Sequence, residues 1–433
     1  VMKATFDLVI VGAGPAGLAA AHAAASSGMR IALIDDNPQA GGQIWRQGPG
    51  LVPPTAMRAT LEALIRNPNV KHYAGTSVSS FPTSREMIVV SASEGGVSIS
   101  FGQLIIASGA RERLLPFAGW TLPGVTGAGG LQALIKGGMP VRGERIVLAG
   151  SGPLLIAVLA TARAAGARVV AVIEQAPWRS LLKFGCSLSA TPSKVLQAVR
   201  LTRGFAQTRY WPGSIVREAL GDSRVEAVVV RRGESDITLA CDRLACGYGL
   251  VPNVSLGQAL GCALASGAIE VDEAQRTSVP GVFAAGECTG VGGMELARVE
   301  GEIAGLGAGA RAIPASLLRE RARWQRFAQH VASAFEPGER ATAWPGAKTI
   351  LCRCEDVTFG EVAAHATWRD AKLHTRCGMG PCQGRICGTA VQTYFGWDIA
   401  VPRPPHSPTR IGAWLEANRD MQPVALPEDD ARL

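Results

Sequence analysis

The sequence predicts an α/β protein with two Rossmann-like dinucleotide-binding units in tandem and a small C-terminal cysteine module. Three observations predict it. A strand–glycine turn–helix–strand pattern opens near Asp7, and a second one opens near Arg145. Five of the ten cysteines then fall within the 36 residues from Cys352 to Cys387. The 433 residues exceed one ordinary core, and 47% hydrophobic against 18% charged residues describes packed domains rather than disorder.

In the first unit Asp7 to Val11 reads as a strand, Gly12-Ala-Gly-Pro-Ala-Gly17 as the turn, Leu18 to Ser27 as a helix ended by Gly28, and Arg30 to Ile34 as a second strand. Gly12 allows the tight turn, Gly14 lets the backbone approach a pyrophosphate, and Gly17 lets helix and strand pack closely. The N-terminus of the helix that follows offers free N–H groups and a positive dipole end to the phosphates. Asp35, 23 residues after Gly12, is placed to accept hydrogen bonds from ribose hydroxyls. Adenine-nucleotide binding is expected here. Leu8 to Ser27 is apolar enough to imitate a membrane segment, but Gly12, Pro15 and Gly17 interrupt it and Asp7 precedes it. The next apolar run, Leu154 to Ala162, is too short to span a bilayer, so no membrane span and a soluble cytoplasmic protein are expected.

A Gly- and Gln-containing loop follows at Gly41-Gly42-Gln43, then a helix over Thr55 to Arg66 and strands near Met87 to Ser91 and Val97 to Phe101. The buried strand from Leu104 runs into the Ala107-Ser-Gly109-Ala110 turn, and the Pro- and Gly-rich stretch Pro116 to Gly130 reads as a hinge. The second unit pairs the strand Arg145 to Ala149 with the turn Gly150-Ser-Gly-Pro-Leu-Leu155, a helix over Ile156 to Ala165, and a strand over Arg168 to Ile173 ending at Glu174. Leu155 stands where the third glycine belongs and should push helix and strand apart, while Glu174 would repel a 2′-phosphate. A working NAD(P)H site and a fold kept for structure both remain open. Further strands are expected at Val225 to Val230, Arg243 to Cys246 and Pro280 to Glu287, with helices over Met294 to Ala308 and Ser316 to Phe335. The domains then run over 1–117 with 270–312, 118–269, a helical linker 313–349, the cysteine module 350–400, and a Pro-rich tail 401–433.

Cys186, Cys241, Cys246, Cys262 and Cys288 are isolated and read as buried structural thiols. The later pattern is Cys352-Arg-Cys354, then Cys377-Gly-Met-Gly-Pro-Cys382-Gln-Gly-Arg-Ile-Cys387. Two such loops can converge four thiolates on one centre, which suits an iron–sulfur cluster or structural zinc. Gly378, Gly380 and Gly384 would let backbone N–H groups face sulfur. His365 and His374 read as exposed helix histidines. The net charge of +8 is spread over scattered Lys and Arg with no nucleic-acid motif, so no nucleic-acid partner is expected.

Residues Val282 to Glu287 resemble the second flavin motif of two-dinucleotide-binding-domain flavoproteins, whose Ala-Gly-acid ending meets the flavin ribitol. With Gly41-Gly-Gln43, Ala107-Ser-Gly-Ala110 and Gly249-Leu-Val-Pro-Asn253, the resemblance to the thioredoxin-reductase-like branch covers about residues 5–310. It implies FAD in the first site, held by Gly12, Gly14, Pro15, Ala16, Gly17, Asp35, Gly42, Gln43, Gly109, Gly286 and Glu287, although a bare adenine nucleotide would also fit the turn. No CxxC lies between the two units, so thioredoxin reductase activity is not expected. The cysteine region resembles the bacterioferritin-associated ferredoxin-like [2Fe–2S] domain. That implies ligation by Cys352, Cys354, Cys382 and Cys387, with Cys377 a neighbouring thiol. The C-x4-C spacing of the second pair departs from that domain's usual C-x2-C.

The order of units resembles the larger (A or alpha) subunits of heteromeric bacterial amine dehydrogenases: opine oxidases, proline and hydroxyproline dehydrogenases, and hydrogen cyanide synthase. The resemblance implies an electron-transfer subunit beside a smaller glycine-oxidase-like FAD subunit that oxidises a C–N bond, with an FMN at the subunit interface in some relatives. It also implies an electron acceptor further along. No residue here stands out as a general base. Two other readings are a stand-alone NAD(P)H-dependent reductase and a nucleotide-loaded scaffold holding ATP or ADP.

Overall fold

The computed structural model describes residues 3–49, 51–91, 95–202, 208–339, 341–343, 345–398 and 403–417. Strand β1 (Lys3–Val11) leads into helix α1 (Pro15–Ala25) and strand β2 (Ile31–Ile34). The helix begins at Pro15, ahead of the predicted Leu18, because proline is tolerated in a first helical turn that needs no N–H donor. Helix α2 (Thr55–Arg66) matches its prediction and is followed by β3 (Val70–Tyr73), β4 (Thr76–Thr83), β5 (Glu86–Ser91) and β6 (Gly95–Ile106).

These strands form one sheet in the order β3–β2–β1–β6, all parallel, with the strand Val282–Ala284 added beside the end of β6. The first half of β6 pairs antiparallel with β5, and β5 with β4. Burial on both faces explains the continuous apolar runs. Leu8 and Ile10 pack toward α1, whereas Val9 packs with Ile34, Leu104 and Ile106 on the opposite face. The helix Met294–Ala308 crosses α1 through small residues. A methyl group on Gly301 would stand 2.1 Å from the Ala16 carbonyl oxygen, and one on Gly305 2.3 Å from that of Ala20.

The second unit has a five-stranded parallel sheet in the order Arg209–Pro212, Arg168–Glu174, Arg145–Gly150, Arg243–Gly247, Val125–Gly127. An antiparallel sheet of Ser214–Leu220, Ala227–Arg232 and Ser235–Ala240 lies beside it. The two units join through the antiparallel pair Ala110–Glu112 and Leu250–Pro252. The stretch read as a hinge is more ordered than expected, since it contains the strand Val125–Gly127 and the start of a helix, Ala128–Lys136. Gly129 and Gly130 hide that helix from the sequence. Its first turn is held instead by the Glu112 carboxylate, which accepts from the Gly129 amide at 2.6 Å and the Gly130 amide at 2.9 Å.

The cysteine module consists of a hairpin (Ile350–Cys352 with Val357–Thr358) and the helices Phe359–Ala363, Trp368–Thr375 and Cys387–Phe395. Its core is continuous with that of the second unit. The Trp120 indole also donates to the Ile350 carbonyl at 2.6 Å. Beyond it, residues 403–417 of the stretch expected to be a Pro-rich tail fold back onto the first unit, and residues 418–433 lie outside the described residues. Its helix Ile411–Ala417 lies against β5 and β6, Trp414 donates to the Ser79 hydroxyl at 2.8 Å, and Ser407 donates to the Val78 carbonyl at 3.0 Å. Among the described residues no helix is long and apolar enough to cross a membrane.

Candidate functional site: two glycine turns and a thiol cluster

The first glycine turn is built as its spacing requires. A methyl group on Gly12 (φ +107°) would meet the Ala107 carbonyl oxygen at 2.2 Å, and one on Gly17 would meet the Gly12 carbonyl oxygen at 1.7 Å. Only glycine permits this crossing of turn and strand end. Gly42 is folded over the turn, within 3.0 Å of the Gly14 Cα were it to carry a Cβ, and the Gly41 amide donates to the Ala13 carbonyl at 2.8 Å. Gln43 is exposed and accepts from Arg46 at 2.9 Å. Asp35 is buried, and its carboxylate accepts from the amide of Ala13 and from the amide (2.8 Å) and side chain (2.9 Å) of Asn37.

The second flavin-type motif closes the other side. Gly286 (φ +78°) packs on Ala16, and an added methyl would be 2.8 Å from the alanine side chain. The structure therefore brings Gly12, Gly14, Pro15, Ala16, Gly17, Asp35, Gly42 and Gly286 to one cradle at the N-terminus of α1. Glu287 follows, and burial pushes its carboxyl above the usual range while the Gly293 amide pulls it down. Gly109 (φ +67°) lies in the turn after β6, pinned by Asn253. The Asn253 side chain donates to the Ser108 carbonyl (2.9 Å), its amide donates to the Gly109 carbonyl (2.9 Å), and its carbonyl accepts from the Ser108 hydroxyl (2.7 Å).

Sequence reasoning missed Glu300. Buried on the helix Met294–Ala308, it accepts from the Gly286 amide at 3.0 Å and the Thr289 hydroxyl at 3.2 Å, with Arg321 at 4.0 Å. Burial raises its carboxyl to about 7, against the opposing pull of Arg321 and the Gly286 amide. An acidic residue inside a run of small helix residues was the only available signal. These residues fit a dinucleotide: a glycine cradle that any Cβ would fill, an acid at the strand end, and a second strand end closing over the helix N-terminus.

The second turn repeats the acid's role at the same spacing. Glu174 accepts from the Gly152 amide at 2.9 Å and from the Ala176 amide at 2.8 Å, as Asp35 does with residues 13 and 37. Leu155 is buried in the core below the turn, so it does not block the cradle directly. The helix starts with a tighter first turn, the Leu155 amide donating to the Gly152 carbonyl at 3.1 Å.

In the cysteine module, the buried thiols of Cys352, Cys377 and Cys387 have their sulfur atoms within 4.8 Å of one another. Cys354 is exposed and lies beside the half-buried Cys382, which donates a backbone hydrogen bond to it. The five sulfurs thus form two adjoining groups, with Cys377 in the tighter one and the predicted Cys354 and Cys382 at its edge. Hydrogen bonds from the Cys377 and Cys387 thiols, and from the Gly378 and Glu355 amides, hold the Cys352 thiol far below its ordinary value. Its hydrogen bond to Cys352, together with burial, pushes Cys377 up to about 12 against the opposing pull of Cys387. Gly378 packs on the Trp368 ring, where a methyl would come within 2.7 Å, and Gly380 leaves room for the Cys354 side chain. A thiol-only donor set of this density fits an iron–sulfur or zinc centre. Both module histidines bond Asp370, His365 through Nδ1 at 2.9 Å and His374 through Nδ1 at 3.1 Å; His365 precedes the helix and is largely covered, contrary to expectation. Of the five isolated cysteines four are buried as expected, and Cys186 is exposed because no side chain of its helix, Trp178–Ser187, is buried.

Residues 6–302 match the family described as pyridine nucleotide-disulphide oxidoreductase. The chain belongs to that family and is a flavin-dependent oxidoreductase. Within it, the chain stands with the A-type subunits of heteromeric flavin dehydrogenases. It is 32% identical to the A-type subunit of opine oxidase from Rhizobium meliloti, over 94% of this chain and 98% of that protein. It is 33% identical to hydrogen cyanide synthase subunit HcnB of Pseudomonas aeruginosa, over 88% of this chain and 90% of that protein. In fold it is similar to L-proline dehydrogenase from P. horikoshii, with a TM-score of 0.66 at 18% identity over 95% of this chain and 79% of that one.

Proposed function

We propose that this chain is the electron-transfer subunit of a heteromeric FAD- and [2Fe–2S]-containing dehydrogenase that acts on the C–N bond of an amino acid or opine-like secondary amine. The observation that carries it is the seating of the cysteine module on the first unit. Arg111, just beyond the turn that follows β6, donates from Nε to the Arg385 carbonyl at 3.0 Å and reaches the Thr389 hydroxyl at 3.4 Å. Asp36, at the end of β2, is influenced by both Arg385 and Arg46. The Cys382–Cys387 loop therefore lies at the strand ends that form the mouth of the nucleotide cradle. A cluster in the module and a flavin in the cradle would then sit as neighbours, which suits onward transfer better than substrate chemistry.

FAD in the cradle would supply two-electron acceptance, and a cluster would supply one-electron steps. The chain's own residues hold and insulate them. Gly12, Gly14, Pro15, Ala16 and Gly17 would carry the pyrophosphate, Asp35 the ribose, and Gly42, Gln43, Gly109, Gly286 and Glu287 the surrounding contacts. Cys352, Cys354, Cys382 and Cys387 would ligate the cluster, with Cys377 its buried neighbour. Substrate oxidation is assigned to a smaller glycine-oxidase-like flavoprotein partner, in keeping with the subunit names of the relatives. The exposed Trp178, Leu182 and Leu196 are apolar surface available to such a partner.

The test is an anaerobic visible and EPR spectrum of the purified chain before and after dithionite, with iron and acid-labile sulfide assayed on the same sample. A flavin spectrum with about two irons and two sulfides per chain supports the proposal. Zinc without iron, or a folded chain without flavin, overturns it.

A further inference from the structure

The second glycine turn does not stand open. Helix Ala315–Phe335 ends against it, and the residues that follow lie across the positions a dinucleotide would use. The Ser151 hydroxyl, in the turn itself, donates to the Phe335 carbonyl at 2.7 Å. Gln175, directly after the strand-end Glu174, donates to the Glu336 carbonyl at 2.9 Å and accepts from the Gly338 amide at 3.0 Å. The same Gln175 amide donates to the Ser151 hydroxyl at 2.9 Å, so the two side chains form one connected network. Both are buried. The Phe335 side chain covers Gly152 at van der Waals distance, 3.7 Å from where a Cβ would sit, and its ring meets Phe184 edge-on at 5.1 Å.

From these contacts we infer that the second dinucleotide turn is a latch for the chain's own segment Phe335–Gly338 and is closed to pyridine nucleotides. A backbone carbonyl and a phenyl ring occupy the phosphate-facing side of the turn, and a peptide N–H and C=O occupy the side chain beside the ribose-facing acid. The buried Ser151 and Gln175 are engaged with the segment and with each other, so a nucleotide would have to displace the segment and leave its peptide groups to find new partners. The segment leads directly toward the cysteine module. The turn therefore anchors that module's connection, and reducing equivalents enter this chain by another route than NAD(P)H. The inference stands independently of which metal the cysteines hold.

The experiment uses the full-length holoprotein. Wild type is titrated with NADH and NADPH into the millimolar range by saturation-transfer difference NMR, with flavin absorbance followed anaerobically. In parallel, hydrogen–deuterium exchange is compared for wild type, Gln175→Glu and Ser151→Ala. The expected result is no nucleotide binding by wild type, and exchange of the amides around Glu336–Glu339 faster by on the order of tenfold in both variants. Flavin content should be unchanged, because neither residue touches the first turn. Should either variant lose its flavin through misfolding, the wild-type titration decides alone. Micromolar binding of NADH to wild type, flavin bleaching by NADH, or unchanged exchange in two folded variants would each overturn the inference.

Discussion

A methyl group on Gly17 would stand 1.7 Å from the Gly12 carbonyl oxygen, so Gly17→Ala should force turn and helix apart. We expect loss of flavin from the purified protein and about 3 kcal/mol of destabilisation, read by visible absorbance and urea unfolding. Glu300 carries a pH signature. Its folded value of about 7 lies above the ordinary 4.5, so the stability it contributes is full below about 4.5 and is lost as pH rises through 7. The difference is on the order of 3 kcal/mol. Glu300→Gln keeps the shape but cannot ionise, so its melting temperature relative to wild type should climb between pH 5 and 8; a flat difference would refute the assignment. On the proposed [2Fe–2S] assignment, Cys377→Ser should retain about two irons per chain, whereas Cys354→Ser and Cys382→Ser should lose them. Iron loss in Cys377→Ser alone would move ligation to the buried trio. The glycines and Asp35 were readable because their work is local and their spacing is dictated by the ligand. Glu300 and Glu112 were not, because each serves backbone amides that no periodicity connects to it.

Among elements, the strands β1 and β2 and the helices Thr55–Arg66 and Met294–Ala308 were legible from apolar runs and helical spacing. The helix Ala128–Lys136 was not, since Gly129 and Gly130 read as loop and its stabilising carboxylate comes from another strand. Short elements depend on capping. Thr358 and Glu361 form a reciprocal box at the start of Phe359–Ala363, the Thr358 amide donating to the glutamate at 2.8 Å. Thr358→Ala should cost about 1 kcal/mol and speed exchange in that helix, with the remainder of the protein unaffected.

For the whole molecule, the sequence indicated three units and their order but not how they close on one another. The Pro-rich stretch after the module reads as a tail because four of its first eight residues, Pro402, Pro404, Pro405 and Pro408, are proline. Its burial depends on Gly96, whose missing side chain admits the Ala413 carbonyl to a place 1.8 Å from where a methyl would be. Ending the chain at residue 402 and replacing Gly96→Val should therefore have the same effect, a melting temperature several degrees lower with the cysteine module intact. If only one of them does so, the strap is not what stabilises that sheet.

That strap also sets a timetable. The first unit is assembled from residues 3–106, 282–308 and 403–417, so a nascent chain emerging from the ribosome has made the second unit and the cysteine module before it has the helix that covers its first sheet. The 311 residues from Ala107 through Ala417 take roughly 15 to 60 s to synthesise. Throughout that interval the face of β5 and β6 that will receive the strap is bare. The nucleotide cradle draws on residues 12–42 and 286–300 and the thiol module on residues 352–387, so both are synthesised before the strap and neither should have to wait for it.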